Sequence, residues 1–104
     1  MPFSGNEGNP IDPAEAANWT RSYRETHAGK VTAYFAGRQI LEQLLSQPES
    51  MGIRFYFGLD GGNLKLVAVS ADEAENDQLG DSFIVADDFK SCPSCCSQSN
   101  ILNS

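Results

Sequence analysis

Gly52-Ile53-Arg54-Phe55-Tyr56-Phe57-Gly58-Leu59-Asp60-Gly61-Gly62-Asn63-Leu64-Lys65-Leu66-Val67-Ala68-Val69-Ser70-Ala71 is the run from which the architecture of the chain follows. Ile53, Phe55 and Phe57 alternate with Arg54, Tyr56 and Gly58, the period-two pattern of a strand. Asp60-Gly61-Gly62-Asn63 then supplies turn chemistry, because a tight hairpin turn needs positive φ and glycine adopts it without steric cost. The run from Leu64 to Ala71 is apolar on both faces, as expected of a central strand. Two strands around that turn make a hairpin. A third strand, Phe83 to Ala86, is expected to border the Leu64 to Ala71 run after the polar loop from Asp72 to Asp81.

Upstream the period becomes helical. Asp12, Pro13 and Glu15 suit the N-cap, first and third positions of a helix start, and Ile11 with Ala16 suits a hydrophobic staple. The pattern predicts a helix from Pro13 to Thr26 with Ala16, Trp19, Thr20 and Tyr23 on its core-facing stripe and Gly29 past its end. A second helix is expected from Lys30 to Gln47. Its sheet-facing stripe would be Val31, Tyr34, Phe35, Leu41 and Leu45, leaving Ile40 and Leu44 on another side; Pro48 and Gly52 close it. Segregated helix and strand runs argue for an α+β fold: two N-terminal helices packed on a small antiparallel sheet, in the order α-α-β-β-β. Residues 1–10, rich in Pro, Gly and Asn, are expected to form a flexible N-terminal arm, and 11–104 a single domain.

The 104 residues carry fourteen acids against seven Lys and Arg, a net charge of −7. Such a chain repels phosphate backbones and anionic membranes, and no stretch clusters basic residues, so neither nucleic acid nor membrane is an expected partner. No apolar run approaches the roughly 18 to 20 residues that span a bilayer, and Met1 to Pro10 lacks the pattern of a signal peptide. The three cysteines crowd into five positions rather than spreading as a disulfide framework does, which suits a reducing compartment. A small, acidic, cytoplasmic protein is the expectation.

Cys92-Pro93-Ser94-Cys95-Cys96 has the two-residue spacing of thiol redox pairs and of half a zinc site. Cys92, Cys95 and Cys96 are therefore the candidate residues for redox chemistry or for zinc. A thioredoxin-like motif belongs between an early strand and its following helix, however, and a zinc site would need His27, the only histidine, or a second subunit. The expected state is reduced thiols packed in a turn started by Pro93, which brings Cys92 near Cys95, with Ile101 and Leu102 docking the terminus on the body. Asp72, Glu73, Glu75 and Asp77 place four carboxylates within six residues without the calcium-loop pattern, and read as a solvated loop. His27 suits the C-terminal end of the first helix. Trp19 and Tyr23 read as core residues rather than a ligand cage.

Asn18-Trp19, Tyr23, the helix through Ile40 and Leu41, the Gly52-Ile53-Arg54-Phe55-Tyr56 strand, the run Leu66 to Val69, Asp72, Asp77 and the late Cys92-Pro93 pair resemble a family of small uncharacterised bacterial proteins. The resemblance covers residues 12–96 and implies one compact α+β domain, with no activity or ligand attached. No nucleophile, base and acid are placed together by any motif, and neither a P-loop nor a dinucleotide fingerprint occurs. The expected function is therefore non-enzymatic: an interaction or structural protein with a protein partner, itself a homo-oligomer, most simply a dimer through Ile40 and Leu44. The alternative is a thiol redox or zinc-dependent function at the cysteine cluster.

Overall fold

A computed structural model describes residues 2–104. Its elements in chain order are α1 (Pro13–Thr26), β1 (Ala33–Phe35), α2 (Arg38–Leu45), β2 (Gly52–Asp60), β3 (Asn63–Ala71), β4 (Val85–Ala86) and β5 (Lys90–Cys92). They form two separate antiparallel sheets, one of strand order β1-β5 and one of order β2-β3-β4. The order α-α-β-β-β is thereby overturned, since a strand lies between the helices and another follows the hairpin sheet. The chain divides into two interleaved units: residues up to Glu7 with Ala36–Phe89, and Gly8–Phe35 with Lys90–Ser104.

In the first unit the hairpin forms as its turn chemistry requires. β2 and β3 pair without a break from Gly52 opposite Ala71 to Asp60 opposite Asn63. Gly61 and Gly62 take φ of 57° and 86°, a conformation that side chains with a Cβ resist. β4 adds to β3 through Ala68 opposite Ala86 and Val69 opposite Val85. α2 packs on this sheet through Leu44, which is fully buried with Ala68 and Ala86, while Ile40, Ile53, Ile84 and Phe89 surround them. This reverses the expected faces. Ile40 and Leu44 are the covered side of the helix, and Leu45 is exposed. The cause is where the helix starts: Val31 to Phe35 lies outside it, so its apolar content shrinks to Ile40, Leu41, Leu44 and Leu45. The i, i+4 pair Ile40 and Leu44 then sets the buried stripe.

A polar network pins the loops to this core. Ser70 is fully buried; its hydroxyl accepts from Gln47 Nε2 at 2.6 Å and donates to Gln78 Oε1 at 2.6 Å. Gln78 Nε2 donates to the Pro48 carbonyl at 2.7 Å, and the Ile84 amide donates to Gln47 Oε1 at 2.9 Å. Among the described residues no buried side-chain polar atom lacks a partner, so this network escapes the desolvation penalty of an unmade bond. Near the N-terminus, the Phe3 amide donates to the Glu73 carbonyl at 2.9 Å.

In the second unit α1 starts as its cap dictates. Asp12 Oδ1 accepts from the Ala14 amide at 3.1 Å, Pro13 occupies the first turn, and Glu15 faces the positive end of the helix dipole. Its least exposed residues are Ala16, Ala17, Thr20 and Arg24, so the stripe is rotated from the one expected. Trp19 is 62% exposed and Tyr23 41%, which corrects their reading as core. Arg24 draws that face inward by donating to the Leu102 and Ser104 carbonyl oxygens at 2.6 and 2.7 Å. The terminus thus returns to α1 through backbone carbonyls, and Ile101 and Leu102, expected to dock it, stay exposed. β1 pairs with β5 from Ala33 opposite Cys92 to Phe35 opposite Lys90. The expected helix from Lys30 fails because Val31, Thr32, Tyr34 and Phe35 are β-branched or aromatic, and Gly37 separates them from the true helix start.

Candidate interaction surface

The cysteine cluster differs from its expected state. Cys92 is joined to Cys96 by a disulfide, and Cys95, the residue expected near Cys92, is an exposed free thiol. The turn is held by the Cys95 amide donating to the Ser91 carbonyl at 2.9 Å and by Ser91 Oγ donating to the Pro93 carbonyl at 2.9 Å. Thr32, just before β1, donates its amide to the Cys92 carbonyl at 2.8 Å. His27 caps α1 and stacks on Tyr23 with ring centroids 4.1 Å apart, its Nδ1 within 2.8 Å of Thr26 Oγ1.

The acidic loop does not converge on a point. Asp72 Oδ1 accepts from the Asn76 amide at 3.0 Å, which closes the turn. Asp77 turns toward the sheet, where it accepts from both Arg54 Nη1 and the Tyr56 hydroxyl. Arg54 lies 5.4 Å from the centre of the Phe3 ring, on the opposite side of the sheet's pleat from Phe55. The hydrogen bond from Tyr56, then the one from Arg54, holds the Asp77 carboxyl below the usual carboxylate range. The same bond to Asp77 pushes the Tyr56 hydroxyl up. Among the described residues no three His, Cys, Asp or Glu side chains gather as metal ligands do.

What stands out instead is the face of β2 that α2 leaves uncovered. Ile53, Phe55, Phe57 and Leu59 share that face, together with Leu64, Leu66 and Ala68 of β3. The helix covers only the end near Ile53 and Ala68. Phe55 rests edge-on against Phe89 and is 45% exposed, whereas Phe57 and Leu59 are 79% and 76% exposed. Three large apolar side chains in alternate positions of one strand form a contiguous patch, unlike apolar residues scattered singly over a surface.

The same strand is the edge of its sheet. The Gln78 amide donates to the Ser70 carbonyl, and Ala68 is paired with Ala86, so the even-numbered residues of β3 point their backbone groups away from β2. Odd-numbered Lys65, Val67 and Val69 therefore bond to β2, where their partners are Gly58, Tyr56 and Arg54. Phe55, Phe57 and Leu59 are left with their N–H and C=O groups directed outward. Among the described residues nothing is bonded to them. Phe3, Gly5 and Glu7 share a hollow with Gly52, Ile53 and Arg54, so the N-terminal segment lies beside the start of the strand and the open stretch runs from Phe55 to Leu59. Sequence reasoning placed these residues in the first strand and turn region of the hairpin and assigned no exposure to them. The surplus of apolar residues over the helix able to cover them was the available signal: eight helical residues span about 12 Å, while nine strand residues span about 30 Å. Compared with protein-family models, curated proteins and solved structures, the chain finds no match in any of the three, and the family resemblance of its motifs gains no support from them.

Proposed function

We propose that the protein works by binding protein rather than by catalysis, with the open edge and apolar face of β2 as its contact surface. The observation that carries this reading is the exposure of Phe55, Phe57 and Leu59 on a strand where, among the described residues, nothing bonds to the outward backbone groups of these three. An edge of this kind recruits a strand by backbone hydrogen bonds, and alternate side chains then add specificity. A photo-crosslinking amino acid at position 57, introduced in the cells the protein comes from, is expected to yield covalent protein adducts. The same group at Lys65, on the other side of the pleat, is expected to give few. Equal or absent labelling at both positions would sink the proposal.

A thiol-dependent function is the second reading, favoured by the free Cys95 standing beside the Cys92–Cys96 disulfide. A thiolate next to a disulfide can exchange with it or with a small-molecule thiol. Zinc would need the disulfide reduced first. A reducing cytoplasm, the compartment we favour, would hold the three-thiol form, and an oxidising one the bonded form.

A further inference from the structure

The β2 edge is complementary to itself. Resting on the reading of this strand as a contact surface, we propose that its occupant is a second copy of the same chain, paired antiparallel through β2 about a two-fold axis at Phe57. Outward backbone groups belong to the odd-numbered residues, so only registers that place odd opposite odd can form a ladder. With the axis at Phe57, that residue faces Phe57 of the second copy, and Phe55 faces Leu59, each pair exchanging N–H···O=C bonds. These positions make up the stretch the N-terminal segment leaves open.

Charge selects this register from its neighbours. On the opposite side of the pleat, Arg54 falls opposite Asp60 of the second copy, and Asp60 opposite its Arg54. Both are non-hydrogen-bonded pairs, where facing Cα atoms come within about 4.5 Å. Moving the axis to Tyr56 sets Arg54 against Gly58 and leaves neither charge a partner across the contact. Moving it to Gly58 sets Asp60 against Tyr56 and runs Arg54 past the turn. Arg54 already donates to Asp77 through Nη1, and the remaining guanidinium donors stay available to a second carboxylate. β2 holds one Arg and one Asp, so the strand is electrically balanced in a chain of net charge −7, and self-pairing meets no repulsion at the contact itself. The stretch from Phe55 to Leu59 also carries no proline or lysine, the residues that monomeric proteins use to blunt an edge.

Sedimentation equilibrium of the full chain tests this. The native protein is expected to be a dimer in the micromolar range. Phe57→Lys puts two charges at the axis and Asp60→Lys sets a lysine against Arg54; each is expected to weaken association about tenfold or more. Circular dichroism should stay unchanged, because both side chains are exposed. In a Cys95→Ser background, mild oxidation should link two Phe57→Cys chains, whose Cα atoms would lie about 5.5 Å apart. Leu59→Cys, facing Phe55, should not link to itself. A native monomer at high micromolar concentration, a dimer indifferent to Phe57→Lys, or equal linkage at positions 57 and 59 would overturn self-pairing. If the native chain is monomeric and a crosslinker at position 57 captures a different protein, the contact surface stands and the second copy is wrong; with no adduct and no dimer, both fall.

Discussion

Asp77 shows how one side chain can tie a loop to a sheet. Its two carboxylate oxygens accept from Arg54 and Tyr56, two residues on the same side of β2, so its side chain ties the polar loop after β3 to the strand, beside the bond that Arg54 Nη1 donates to the Glu75 carbonyl at 3.2 Å. The Asp77 carboxyl is held low chiefly by the Tyr56 hydroxyl, and its contribution to stability is present above its unfolded value of about 4 and lost as pH falls through its folded value. Tyr56 is displaced the other way, raised chiefly by Asp77. Its contribution is present below its unfolded value of about 10 and disappears as pH rises through the folded one. Asp77→Asn is therefore expected to lower the urea midpoint most in the plateau between about pH 5 and pH 9, with the difference from native closing on both sides. Arg54 and Tyr56 are exposed enough that the effect should be modest and should shrink further in high salt. A difference that stays constant down to pH 2 would show that the carboxylate charge plays no part.

At the scale of elements, the faces of α2 offer the cleanest comparison. Leu44→Ala removes a fully buried side chain between the helix and Ala68 and is expected to cost about 2 to 5 kcal/mol, whereas Leu45→Ala, half exposed, should cost under about 1 kcal/mol. Denaturant midpoints that fall equally would mean the helix is not seated on Leu44. Position in the chain explains which elements could be read from residues alone. α1 and the β2–β3 hairpin are specified locally, by Asp12-Pro13 and by Asp60-Gly61-Gly62-Asn63, and both form where their residues place them. β1 and β5 are specified by each other across the length of the chain. Val31 to Phe35 satisfies a helical spacing as well as a strand's, and Lys90-Ser91-Cys92 has no periodicity to notice, so only their pairing settles the matter. The Gln47, Ser70 and Gln78 network is harder still, because three polar residues from separate segments converge with no local pattern. The edge position of β2 is legible, because a second run apolar on both faces reads as the central strand and β4 does border it, but how much of β2 the helix leaves uncovered is a tertiary fact.

Across the whole molecule the apolar burial is uneven, and this bears on the disulfide. Leu44, Ala68, Val69, Ala71 and Ala86 are buried in the first unit, while Ala17 is the buried apolar residue of the second among those described. A unit with so little core depends on capping, short strand pairing and crosslinks. The Cys92–Cys96 bond lies at the end of β5, beside the hydrogen bonds from Thr32 that begin its pairing with β1. Closing so short a loop constrains the unfolded chain by about 2 kcal/mol in the chain-entropy view. Reduction should therefore speed amide exchange in β1 and β5 by roughly tenfold or more and leave the ladder between β2 and β3 unchanged, since no cysteine lies in that unit. The thiols provide the matching count. Without reductant one fast-reacting thiol per chain, Cys95, is expected in the folded protein, and denaturation should reveal no other; reduction should bring the number to three. Three fast thiols before any reductant is added would mean that the cluster is held by its hydrogen bonds alone, and exchange in β1 should then ignore the reductant. The two measurements must agree, because the same covalent bond hides two thiols from the reagent and holds the end of β5 against Thr32.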